Sequence, residues 1–163
     1  MNIRTVDIQE DRTTLLDFHC VTNYESGNPS LRKAYAFEQF RDIWMKSRGP
    51  DEFLSALEAS LKDPRTIAEI WEDDAVVVAY IWVKFLDWPE YHSTGAEIND
   101  IIVTPAFRRQ GIATDIIKRV ERLARERGAT LLRSGTGAEN VASQGLHAKL
   151  GFKTSWLQYD KEL

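Results

Sequence analysis

Residues 103–114, Val-Thr-Pro-Ala-Phe-Arg-Arg-Gln-Gly-Ile-Ala-Thr, constrain this chain more than any other stretch, because a strand must give way to a helix within one short turn. The run before it, AEINDIIV over 96–103, reads as a strand, and Pro105 breaks the ladder because it has no N–H to donate. After it, 110–127 carries Ile112, Ile116, Val120, Leu123 and Ala124 on one helical face, with Gly128 placed as a C-terminal cap. The first amides of such a helix lack internal acceptors and lie at its positive dipole end, so together they form an anion site. Gly111 and Ala113 let backbone approach an oxyanion, and Arg108 and Arg109 add positive charge. A diphosphate fits that description. A triphosphate loop needs Gly-Lys-Ser/Thr and a dinucleotide fingerprint needs three glycines; the turn has neither.

The remaining punctuation sets an order of elements. Ile3–Val6 reads as an opening strand and 11–22 as a helix with Leu15, Leu16 and Phe18. Ser26-Gly-Asn-Pro-Ser30 is a breaker cluster and reads as loop. Helical spacing follows over 34–46 (Phe37, Phe40, Trp44) and over 51–62 (Phe53, Leu57, Leu61), the latter ended by Asp63-Pro64. Residues 66–72 and 75–85 are rich in β-branched and aromatic side chains about an Asp73-Asp74 turn, which predicts a hairpin. Further expectations are a strand over 130–134, a helix over 141–150 stopped by Gly151, and a last strand over 152–159. The order β-α-α-α-β-β-β-α-β-α-β is a mixed α/β layer design. No repeat, low-complexity tract or linker divides it, which predicts one domain over 1–163.

Composition narrows the function. A hydrophobic share of 43% is enough for a core in a chain of 163 residues. The single cysteine, Cys20, excludes an intramolecular disulfide and a multi-cysteine metal site, so no metal is expected. The first twelve residues are polar, and no run approaches the ~18 apolar residues of a spanning helix. A cytoplasmic setting without membrane partner is therefore expected. Residues 1–100 hold 10 Lys+Arg against 19 Asp+Glu, while 101–163 hold 11 against 6, or −9 and +5. That division suits an anionic cofactor on one side and a cationic acceptor on the other. The basic part is too mixed in sign for a nucleic-acid surface.

Arg108-x-x-Gly111-x-Ala113 resembles the [Gln/Arg]-x-x-Gly-x-[Gly/Ala] signature of the GNAT superfamily of N-acetyltransferases. A second element, Asn140 followed by Leu146-His-Ala-Lys-Leu-Gly-Phe152, resembles that superfamily's N-x6-L-Y-x-K-L-G-F ending. The resemblance covers 75–159 closely and 1–74 by length and helix placement. It implies a mostly antiparallel central sheet flanked by helices, with acetyl-CoA as acetyl donor. It implies that Ile101, Ile102 and Val103 bond the pantetheine arm like an added strand. The amides of Arg109, Gln110, Gly111, Ile112, Ala113 and Thr114 would hold the pyrophosphate, and Asn140 would touch the pantetheine. Arg108, Arg109 or Lys149 would reach the 3′-phosphate; spacing does not choose among them.

Acetyl transfer to an amine requires a base for the ammonium, donors for the oxyanion, and in some enzymes an acid for the thiolate. Glu97, fourteen residues before Gly111, resembles the family's general base. Strict alternation puts Asp100 on the opposite face from Glu97, unless a bulge resets the parity, which keeps Asp100 as the alternative. His147 stands where the family pattern has its proton-donating tyrosine, and an imidazole can donate as well. The expected acceptor is the primary amine of a small cationic molecule, polyamines and aminoglycosides included. The alternatives are a peptide N-terminus or lysine, or a sensor that binds acyl-CoA without turnover. Trp88-Pro-Glu-Tyr-His92 offers aromatic and acidic groups for a cation. Trp156 and Leu157 in the last strand suit either core or a homodimer contact.

Overall fold

Strand β3 (Val76–Trp88) explains the architecture. Val78, Ala79, Tyr80, Ile81, Trp82 and Val83 are all buried, so both faces of this strand must be covered. An unbroken apolar run is what a central strand with helices on each side demands. The computed structural model describes residues 1–161 and shows that arrangement. Five strands lie in the order β1 (Asn2–Thr5), β2 (Ile67–Asp73), β3, β4 (Ser93–Val103), β5 (Leu131–Ser134). The first four are antiparallel, and β5 runs parallel to β4. This is the mixed, mostly antiparallel sheet flanked by helices that the sequence predicts.

Among the described residues six α-helices accompany the sheet: α1 (Arg12–Ser26), α2 (Pro29–Ala34), α3 (Phe37–Met45), α4 (Gly49–Ser60), α5 (Ile112–Glu126) and α6 (Val141–Lys149). On one face α5 buries Ile112, Ile116, Ile117, Val120 and Ala124 against Ile81, Val83 and Ile98. On the other, Leu15 of α1 and Phe53, Leu54 and Leu57 of α4 close over Tyr80, Trp82 and Ile102. None of the helices is long and apolar enough to cross a membrane, among the described residues.

Three segments differ from the sequence expectation. The breaker cluster holds a helix start: Asn28 Oδ1 accepts from Ser30 N at 2.9 Å and Pro29 takes the first helical position, giving α2. Helix α1 continues one turn past residue 22, which matters for the site below. Residues 152–159 pair with no strand; Trp156 is 73% and Tyr159 85% exposed. Their alternation satisfies a strand pattern, but β5 offers only four residues and its ladder is with β4.

Candidate functional site

β4 has neighbours on both sides only in its first half. Its ladder with β5 runs from Gly95↔Leu131 to Ile98↔Ser134 and stops there. From Asn99 to Val103, β4 pairs with β3 alone, because the chain after Ser134 turns away. The split opens a cavity of ≈ 1160 Å³ lined by Ile98–Val103, the 107–114 turn, the end of α1 and the start of α6. An extended ligand with amide groups can bond the bare edge of β4 as a strand would.

The anion end of this cavity is built by two left-handed residues. Arg109 has φ +66° and Gly111 φ +88°, and the space where a Gly111 Cβ would point is open. No side chain caps α5, and Asp115 N is the first amide to find an intrahelical acceptor, Gly111 O at 3.1 Å. The amides of 111–114 therefore remain for a ligand, and successive N–H groups in such a turn form a concave anion cradle. Arg108 is committed elsewhere: Nε donates to Val103 O (3.0 Å) and Nη2 to Glu25 (3.1 Å). Arg109 and Lys149 line the cavity and have no ion pair among the described residues.

The second lip is tied to α1. Asn140 Oδ1 caps α6 by accepting from Ser143 N (3.1 Å), while Nδ2 donates to Ser26 Oγ (3.1 Å). Gly137 packs so closely on Ser26 O that a Cβ would approach it to 2.6 Å. Arg32 reaches Glu139 (2.8 Å), so the α1–α2 corner braces both lips of the split.

Other expected residues lie apart. Gln110 donates to Ala106 O at 3.3 Å and is not among the lining side chains. His147 also lies outside the lining: its Nδ1 donates to Ser143 O (2.7 Å), its Nε2 is buried without a partner, and its ring meets Phe152 edge-on. The bulge in β4 is real. Val83 opposes Ile98 and Trp82 opposes Asp100, which leaves Asn99 as the extra residue. Glu97, opposite Lys84, and Asp100, opposite Trp82, thus share the α1/α4 face. Only Asp100 reaches the cavity. The Trp88–His92 loop sits at the other end of β4 and contributes nothing to the lining.

The Acetyltransferase (GNAT) family model matches residues 30–152. The chain belongs to this family. Aminoglycoside N(6′)-acetyltransferase type 1 of Salmonella typhimurium is 38% identical over 56 residues, 34% of this chain and 39% of that protein. The match thus spans well under half of that relative's length. Among solved structures, an aminoglycoside antibiotic 6′-N-acetyltransferase from Acinetobacter haemolyticus superposes with TM-score 0.68 at 20% identity, covering 100% of this chain and 99% of that one. A ribosomal-protein-alanine N-acetyltransferase from Brucella melitensis gives 0.67 at 16%, covering all of both chains. At these identities the superpositions show the GNAT fold and nothing about the acceptor.

Within this GNAT chain the sequence reading missed His19. Its Nδ1 lies 2.7 Å from Asp100 Oδ2, and the Asp100 side chain is fully buried. The imidazole stacks on Phe53 (centroids 3.9 Å, 12°) and leans on Trp44 (5.8 Å). Helical spacing holds the missed signal: His19 follows the inward-facing Leu15 and Leu16 by one turn and precedes Thr22 and Asn23 of the lining by another. Cys20 beside it is buried, and burial pushes its thiol up to about 11, which removes it as a nucleophile. No group of three or more His, Cys, Asp or Glu is placed to hold a metal among the described residues.

Proposed function

We propose that this chain is an acetyl-CoA-dependent N-acetyltransferase acting directly on the primary amine of a small cationic molecule. One observation carries the reading: a single cavity joins the uncapped α5 amides to a buried carboxylate, Asp100, at the β4 bulge. The residues present fit acetyl-CoA. The open left-handed Gly111 and free amides of 111–114 suit its diphosphate, the bare edge at 101–103 suits its pantetheine amides, and Arg109 and Lys149 suit its 3′-phosphate. When bound it supplies an activated acetyl group. Asn140 lines the cavity and ties its lip to α1 through Ser143 and Ser26, and its amide keeps a second N–H and lone pair for the pantetheine arm.

The small-amine class is supported by the names of the partial relatives, which are aminoglycoside N(6′)-acetyltransferases. Calorimetry with acetyl-CoA, followed by thiol release with an aminoglycoside, a polyamine and an N-terminal peptide, tests the reading. Binding with turnover on one of the first two is expected. Turnover on the peptide alone would overturn the acceptor class, and tight binding without thiol from any amine would make the chain a sensor.

A further inference from the structure

We infer that His19, held by Asp100, is the base that uncovers the acceptor amine; this rests on the acetyltransferase reading. On the α1/α4 face of the sheet, among Phe53, Leu57, Trp82 and Ile102, three groups break an apolar surface: His19, Asp100 and Tyr80. A fully buried carboxylate costs several kcal/mol unless it is paired and hydrogen-bonded. Asp100 has one partner, His19 Nδ1; its Oδ1 is buried and unbonded, as is the Tyr80 hydroxyl. Burial first, and the Asp100 charge second, push the Tyr80 phenol up well above its ordinary range, so Tyr80 stays neutral beside the carboxylate. The one side-chain bond of this carboxylate runs to the ring.

The ring is held for one orientation. Asp100 comes at it from β4, Phe53 from α4 and Trp44 from α3; among these Asp100 is the charged group. An Nδ1–H donated to Asp100 Oδ2 leaves the lone pair on Nε2. Nε2 makes no hydrogen bond to the protein and, unlike the Nε2 of His147, is not sealed from solvent. One turn on, Thr22 and Asn23 line the cavity, and Asp100 lines it from the sheet. His19 itself lies one turn behind that lining and is joined to it through Asp100. Glu97 shares the face and, like His19, lies outside the lining; of the two, His19 is the one whose side chain is hydrogen-bonded to a lining residue, Asp100.

The step balances. An ammonium N–H bond breaks and its proton passes to His19 Nε2. The freed pair forms the N–C bond to the thioester carbonyl carbon, the C–S bond breaks, and its electrons leave on sulfur. Of the two protons the nitrogen loses in all, one ends on sulfur and one in solvent. His19 is the catalytic residue in this scheme and Asp100 a positioning residue.

Histidine ¹⁵N spectra of the free protein, with acetyl-CoA calorimetry and thiol-release kinetics on the same samples, test the assignment. The neutral His19 ring is expected to carry its proton on Nδ1, and Asp100→Ala to move it toward Nε2. His19→Gln is expected to lower kcat/KM by about 100-fold or more, in the range of general-base catalysis, with acetyl-CoA affinity kept within about twofold. Asp100→Asn, closer in shape than alanine, is expected to lose about tenfold or more in kcat with acetyl-CoA affinity kept within about twofold. A wild-type ring protonated on Nε2 overturns the inference. So does His19→Gln turning over within about threefold of wild type. Should wild type bind no acetyl-CoA while the tautomer is as expected, the acetyltransferase reading falls and the base role with it.

Discussion

The two halves of β4 are made of similar residues and do opposite work. From Gly95 to Ile98 every residue has a neighbour strand on each side, and the adjoining β3 turn is clamped by Arg65 between Asp63 and Asp87 (2.8 Å each). From Asn99 to Val103 one edge is bare, one residue is surplus, and a carboxylate is buried. The first half is fully laddered; the second is the half to which the proposed function assigns the ligand, because its edge is bare.

That contrast can be broken from either side. Phe85→Ala, opposite Ala96 in the paired half, removes a large buried ring and should cost about 3–5 kcal/mol in urea unfolding, leaving acetyl-CoA affinity of the folded fraction unchanged. Gly111→Val in the open half forces a β-branched residue to φ +88°; such strain costs about 1–3 kcal/mol, and acetyl-CoA affinity by calorimetry should fall about 10- to 100-fold. The smallest effect sharpens the comparison by pH. Hydrogen bonds from Arg65 first, then Thr94, hold Asp87 down from 3.8 to about 2. Because the folded value lies below the unfolded one, this stabilisation is whole above about pH 4 and is lost as pH falls toward 2. Arg65→Met should therefore raise the midpoint of acid unfolding followed by circular dichroism, by about half a pH unit for so exposed a cluster. An unchanged midpoint would show the clamp to be inert.

The strand–turn–helix at 103–114 was legible because proline, glycine and a helical period act locally, and the structure has them at the anion end of the cavity. The α2 start was also written locally, as Asn28-Pro29, but a cap and a breaker use the same residue types. His19 was hidden for another reason. Its meaning comes from a carboxylate 81 positions away, brought beneath it by a bulge whose place depends on the β3–β4 register. The strand over 152–159 failed in the reverse direction: its alternation is local, while a ladder requires a neighbour.

The surplus residue in β4 also sets a reading frame for the sheet. Deleting Asn99 would make Trp82↔Asp100 and Val83↔Ile98 successive pairs of a regular ladder, with every other side chain of β4 kept on its present face. Flattening the bulge with Asn99 kept would be the disruptive change: if the Val103 end kept its place, Glu97 would point into the oily contact with α5 and Ile98 toward α1; if the Ser93 end kept its place, Asp100 would make that turn instead. The surplus residue is thus what keeps Glu97 and Asp100 on one face, and any change that flattened β4 at its full length would part them.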